Sequence, residues 1–414
     1  MDWEKSIKEK YFLIFFIFAS IVLLISIIHS PTIYKFIWGV GYLFADHTAI
    51  VSWLKCHHLN FDVYSNDIEN CPAFMTIFNY GHIFLSIPFN DFLEIFYKNY
   101  LPYIALILFV FLVSITINPK SIIEYLILTL AIFNPSSIFL VERMSFDLFV
   151  FLASIFVTFN RFYLLNWFLI YFLFFVKTYP IILGVNIFLE NKNRKLIKIF
   201  LIIATMVLVS AFYLLLHLNE YLITLSHHSA GKAGYHYLFS LNTFPKIFQN
   251  IFGFNYIFLI LIFYSLFIYL TKFFYEKFNI NYINLSKDLY SHKSRLFLLG
   301  GFISLICFVI FSNYFYREVF LIMTIPYLLN FFKLYKNSMS KNILYLIIFR
   351  YLFLYIYAYF NVNDGIYYID NVRNFSDYFL IIISMKGFLD FILLSLISSL
   401  LFLNTRKILM NLAK

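Results

Sequence analysis

Long apolar runs recur from one end of this chain to the other, and they constrain it more than any other feature. About 20 mostly apolar residues suffice to cross the hydrocarbon core of a bilayer as a helix. Candidate spans lie near 11–29, 101–117, 121–140, 146–160, 162–176, 179–190, 197–216, 251–271, 296–312, 319–334, 342–360 and 378–403. In lipid each backbone donor and acceptor must be satisfied inside the segment, so helices are expected. The expected fold is all-α: a polytopic transmembrane helical protein of about twelve spans, with 1–414 as a single integral membrane domain. Composition excludes a soluble globular domain, because 62% of residues are hydrophobic and 13% charged, against about 25% charged in soluble domains.

The first apolar run starts near Tyr11 and is followed by no small-residue cleavage site, so it reads as a first span and not a cleaved signal. The segment around Lys177-Thr178-Tyr179-Pro180 is the least regular. Pro180 lacks a backbone donor, which makes a broken or re-entrant segment the alternative there.

A net charge of +10 invites a nucleic-acid partner, but the basic residues sit in short segments between apolar runs. With the N-terminus in the cytoplasm, 20 Lys and Arg fall on the cytoplasmic side and 9 outside, Arg350 and Lys386 lying within spans. That asymmetry follows the positive-inside rule and predicts both termini in the cytoplasm. No nucleic-acid partner is expected, and the implied partner is membrane lipid. Two long extracytoplasmic segments result, 30–100 and 217–250. The first carries apolar clusters such as Ala49-Ile50-Val51 and Phe84-Leu85-Ser86-Ile87, which suit helices lying along the membrane surface. Cys56 and Cys71 both fall in it, either bridged or as two free thiols; Cys307 is the third cysteine. A Gly-rich phosphate loop, a His-Glu-x-x-His pattern and paired Cys-x-x-Cys motifs are all missing from the sequence, so neither a cofactor nor a metal is expected and a divalent cation has no supporting motif.

Ionisable residues among apolar runs are costly and mark candidate sites. Asp46 follows Gly39-Val40-Gly41-Tyr42-Leu43-Phe44-Ala45 just beyond the first span; it reads as a general base facing a cavity or as a loop acid or helix cap. Glu142, Arg143 and Asp147 lie between two spans on the same side, Lys177 and Tyr179 precede Pro180, and Tyr316 and Arg317 head a later span. Arg143, Lys177 and Arg317 can converge on one phosphate-like anion, Arg by its two-pronged fork, or can snorkel at the interface. His227, His228 and His236 lie in the second outer segment, for sugar or head-group hydrogen bonds, a metal, or plain solvation. Lys386 and Asp390, four apart, suit a structural ion pair, with Arg350 pairing to Asp390 or Glu124 or lining a cavity.

Taken in order, these elements resemble the GT-C superfamily of membrane glycosyltransferases, and most closely the bacterial polyprenol-phosphate-mannose-dependent alpha-mannosyltransferases. The matching elements are Asp46 with Asp62-Val63-Tyr64, Phe78-Asn79-Tyr80-Gly81, and Asn134-Pro135-Ser136-Ser137 leading to Glu142-Arg143-Met144-Ser145-Phe146-Asp147. Lys177-Thr178-Tyr179-Pro180 before Asn191-Lys192-Asn193-Arg194-Lys195 and Tyr314-Phe315-Tyr316-Arg317 complete the series. Two elements depart from the family: Tyr80-Gly81-His82 stands where Tyr-Pro-Pro is usual, and Arg143 to Asp147 where a Gly-Gln-x-Asn element is usual. The resemblance implies a polyprenyl-phosphate sugar donor, a glycan or lipid-linked acceptor, and inverting transfer of a mannose-like hexose on the outer face of a bacterial inner membrane. It makes Asp46 the catalytic base, Arg143, Lys177 and Arg317 the groups that hold the leaving phosphate, and Glu142, Asp147, Tyr179, Tyr316 and His228 substrate-binding residues. An O-antigen-type polymerase or ligase, a lipid-linked-glycan flippase or transporter, and a non-catalytic assembly subunit are the rival readings. Without a visible internal repeat, the inverted-repeat transporter has less support.

Overall fold

The computed structural model describes residues 2–30, 43–64, 78, 80–160, 162–177, 179–186, 196–227, 238–279, 291–309, 313–335, 338–363, 366–369, 372–375 and 377–412. Helices dominate, and two short antiparallel strand pairs join them, Leu238–Phe239 with Asn313–Tyr314 and Ile366–Ile369 with Val372–Phe375. Six described helices are long and apolar enough to cross a membrane: Glu9–His29, Asp91–Ile117, Tyr256–Phe278, His292–Val309, Lys341–Phe360 and Phe379–Met410. The bent pair Ile122–Phe133 and Pro135–Arg143 makes up to seven, and Phe146–Phe159, Leu164–Val176 and Ala204–Leu216 are shorter apolar helices. Phe15 and Phe18 on the first of these, and Ile257, Phe258 and Leu261 on the third, are exposed. Contiguous apolar faces of that kind need lipid or a partner to cover them.

Two expected spans take another form. At 179–190 the chain makes a six-residue 3₁₀ turn, Tyr179–Gly184, where Pro180 has no donor to continue an α-helix. At 319–334 a 3₁₀ helix, Phe315–Thr324, leads into an α-helix, Ile325–Tyr335. Ten residues of 3₁₀ geometry are unusual, since such runs seldom exceed 3–4 residues. Tight packing accompanies it: a Cβ on Gly300 would meet the Phe320 carbonyl oxygen at 2.7 Å, so His292–Val309 lies almost against this segment.

Local sequence explains where several helices begin. Ser121 accepts from the Glu124 amide at 3.4 Å, and the Glu124 carboxylate reaches back to the Lys120 amide at 2.7 Å, a variant of the capping box. Asn134 accepts from the Ser137 amide at 3.0 Å with Pro135 at the first helical position. That cap starts Pro135–Arg143 at a 41° bend from the preceding helix and aims its C-terminal end at Asp46. The segment 30–100 contains the helix Ala45–His58, which buries His47, Ile50, Val51, Trp53, Leu54 and Cys56 against the body of the protein. Cys56 is disulfide-bonded and Cys307 is free and buried; Cys71 lies outside the described residues.

Deep in the bundle four charges close on one another. Arg350 Nε donates to Asp390 at 2.7 Å, Lys386 pairs with the same carboxylate at 2.9 Å, and both cations also bind Glu318. Ser136 adds a hydrogen bond to Glu318 at 3.2 Å. Of the alternatives for Arg350, the structure selects Asp390; Glu124 pairs with Lys333 instead.

Candidate functional site

Asp46 and Asp147 each occupy the second residue of a helix, Ala45–His58 and Phe146–Phe159. The exposed amides of a helix N-terminus favour a carboxylate at that position. Each helix is entered through a strained approach. Phe44 (φ 57°) and Met144 (φ 50°) adopt the left-handed conformation, which costs a non-glycine residue about 1–3 kcal/mol and tends to collect at functional sites. The other non-glycine residues with positive φ among those described are Asn60 and Asn118, and Asn tolerates it. The Phe44 amide donates to the Glu142 carbonyl at 2.7 Å, tying the two approaches together.

Three of the predicted residues meet at a fourth, Asp147, which is fully buried. Lys177 Nζ donates to its Oδ2 at 2.8 Å and Arg317 Nε to the same oxygen at 3.4 Å, while the Tyr179 hydroxyl donates to Oδ1. Ser145 Oγ lies 3.4 Å from Oδ2. Aromatic faces complete the cradle: Lys177 sits 5.2 Å from the centre of Tyr80 and 5.9 Å from Phe146, and Arg317 stands 4.9 Å from the Tyr179 ring. Burial pulls the Lys177 ammonium down, and the Asp147 carboxylate opposes it. Asp147 thus bridges the two cations through one carboxylate.

Asp46 faces Arg143, which donates to its Oδ1 through both Nε, at 2.9 Å, and Nη2. The Asp46 carboxylate also acts electrostatically on Lys177, so the two groups form one field. Lys177 and Arg317 side chains keep 14% exposure, Asp46 20% and Arg143 24%. Three cations and two carboxylates thus share one partly exposed site, with Glu142 buried in the last turn of the helix Pro135–Arg143. His47, next to Asp46, is buried and donates from Nε2 to the Tyr97 carbonyl at 2.7 Å. Burial pushes this imidazole below its ordinary range, and that hydrogen bond pulls the other way.

The structure thus brings together Asp46, Arg143, Asp147, Lys177, Tyr179 and Arg317. Tyr316 lies in the same 3₁₀ helix as Arg317, with its side chain outside the described residues, and His228 is outside them altogether. Ser145 and Tyr80 belong to the site as well. Both fall inside motifs visible in the sequence, but neither residue type signals chemistry alone. One other group of metal-type ligands converges among the described residues, His82, His217 and Glu220. Comparisons of the chain with protein-family models, with curated proteins and with solved structures find no match.

Proposed function

We propose that this protein is a GT-C-type glycosyltransferase, of about twelve spans in the membrane, that moves a mannose-like hexose from a polyprenyl-phosphate donor to a glycan or lipid-linked acceptor. The reaction takes place on the extracytoplasmic face of a bacterial inner membrane, with both termini in the cytoplasm. The observation that carries this reading is the placement of Asp46 with Arg143 and Lys177 in one partly open cluster, drawn from segments far apart in the chain. Cys56, further along the Asp46 helix, is in a disulfide, which suits an oxidising compartment.

In this reading the acceptor hydroxyl oxygen attacks the anomeric carbon opposite the phosphate. The bond from that carbon to the phosphate oxygen breaks, its electron pair leaves on the phosphate, and the configuration inverts. Asp46 takes the hydroxyl proton. Its Oδ1 is held by Arg143, which leaves Oδ2 as the oxygen for that proton. The lipid phosphate changes from a diester with one negative charge to a monoester with two. Neutralising Asp46 releases the Arg143 charge from its ion pair at the moment the phosphate gains one. Lys177 and Arg317, oriented from behind by Asp147, add fixed positive charge in a site of low dielectric.

The test uses full-length protein in proteoliposomes with a labelled polyprenyl-phosphate hexose and lipid-linked acceptors. Asp46→Asn is expected to end transfer while the protein elutes and melts like wild type. Full transfer by that variant, or no glycosidic product from wild type with any polyprenyl-phosphate hexose, overturns the reading.

A further inference from the structure

Behind the charged cluster lies a second constellation that the transfer chemistry does not use. His82 opens the 3₁₀ turn His82–Ser86, His217 joins the helices Leu196–Leu216 and Leu218–His227, and Glu220 sits in the first turn of the latter. One ligand atom from each lies within 4.8 Å of the others. The imidazole rings of His82 and His217 stack with centroids 4.8 Å apart, and His217 Nδ1 is 3.6 Å from Glu220 Oε1. Nδ1 of His82 and Nδ1 of His217 are both buried with no hydrogen-bond partner among the described residues. Two unsatisfied buried imidazole nitrogens beside one carboxylate are costly as they stand, and a cation bound between them relieves all three groups.

The backbone holds His82 for this purpose. The Gly81 amide donates to the Val176 carbonyl at 2.9 Å, and the Ile83 amide donates to the Tyr213 hydroxyl at 3.2 Å. A Cβ at Gly81 would lie 1.6 Å from the Phe175 carbonyl oxygen, so only glycine lets the chain approach this closely. His82 is therefore fixed on both flanks, in a Tyr80-Gly81-His82 element that departs from the Tyr-Pro-Pro of the family this chain resembles.

We propose that His82, His217 and Glu220 bind one divalent transition metal ion of the zinc class. Two imidazoles and a carboxylate are a ligand set zinc accepts, with bonds of about 2.0–2.2 Å and a fourth position for water. Donors at such distances stand roughly 3.3 Å apart in a tetrahedron, close to the His217–Glu220 separation, so His82 and its neighbours close by a modest side-chain rotation. The ion clamps the turn at His82 to the His217 junction. Tyr80, two residues before His82, supplies the ring beneath Lys177, so the metal positions part of the charged site from outside it. This assignment does not depend on which reaction that site performs.

The test takes the full chain in detergent, without a polyhistidine tag, stripped with chelator and dialysed. Zn²⁺ is titrated by calorimetry, with metal content read by mass spectrometry, and Co²⁺ is followed by its visible spectrum. Wild type is expected to retain one equivalent of Zn²⁺, to melt higher with it, and to give tetrahedral Co²⁺ bands that Zn²⁺ displaces one for one. Glu220→Gln and His82→Ala are expected to lose that equivalent, while His57→Ala keeps it. Absence of a stoichiometric metal and of Co²⁺ bands in wild type overturns the proposal whether or not the variants fold. Undiminished binding in the Glu220→Gln/His82→Ala double variant overturns it as well.

Discussion

Two charged clusters sit side by side in this protein, and Arg317 and Glu318, consecutive in sequence, divide between them. Arg317 turns to Asp147 and the site with Lys177, Asp46 and Arg143; Glu318 turns to Arg350, Lys386 and Asp390. A 3₁₀ helix turns about 120° per residue, which separates the two side chains into different neighbourhoods. In the second cluster the four side chains are only 1–5% exposed, and two cations balance two carboxylates. In the first, Asp46, Arg143, Lys177 and Arg317 keep 14–24% exposure. A neutral, sealed set of charges has nothing left to offer a ligand and holds helices in register. A partly exposed set stays within reach of solvent and of ligands.

Breaking one partner of the sealed cluster carries the largest effect, because a buried charge is left without its counter-charge. Lys386→Met is expected to cost about 3–5 kcal/mol, read as a lower melting temperature and a broadened elution profile. Adding Glu318→Gln leaves the Arg350–Asp390 pair intact and is expected to recover a substantial part of that loss. A double variant as unstable as the sum of its parts would break the picture of a closed charge set. Next in size, Asp46→Asn is expected to lower turnover by at least about 10²-fold while moving stability little, since a partly exposed pair is worth about 0–1 kcal/mol. A large melting shift with turnover intact would place Asp46 with the structural charges instead.

Arg317→Lys keeps the charge but loses the fork and the stacking on Tyr179, and is expected to raise KM for the donor roughly tenfold. An unchanged KM with lowered stability would move Arg317 into the sealed class. The smallest effect concerns His47 beside the open cluster. Its folded-state pKa is lowered by burial, so below about pH 6.5 the unfolded chain takes up a proton that the folded chain refuses. Stability is therefore full above that pH and falls as pH drops through the window down to the folded value. His47→Gln is expected to flatten this part of the melting-temperature profile, and an unaltered slope would remove His47 as its source.

Much of the helical layout was legible because hydropathy is a local property. The expected spans at 11–29, 342–360 and 378–403 correspond to long apolar helices, and 121–140 to the bent pair about Asn134-Pro135. The run at 179–190 misled on length, since apolar content does not reveal that Pro180 and a 3₁₀ turn interrupt it. Charged candidates were legible for a related reason: in so apolar a chain Asp46, Arg143, Lys177 and Arg317 stand out. The smaller and aromatic residues around them do not. Ser145 and Tyr80 have unremarkable side chains that matter only because Asp147 and Lys177 lie beside them. The histidines that drew notice in sequence were His227, His228 and His236, whereas the pair that stacks is His82 and His217, far apart in the chain and in no recognised spacing.

By itself, then, the sequence determined that this protein lives in lipid, that it is helical, and that a small set of ionisable groups must be accounted for. Apolar run length and charge scarcity are additive along a chain and need no partner to be read. Which carboxylate faces which cation was decided only in the tertiary structure. Asp46 meets Arg143 across 97 residues and Asp147 meets Arg317 across 170, and only helix packing sets distances of that kind. Whether a charge is sealed or open was decided there too, because burial belongs to the neighbours of a side chain and not to the side chain.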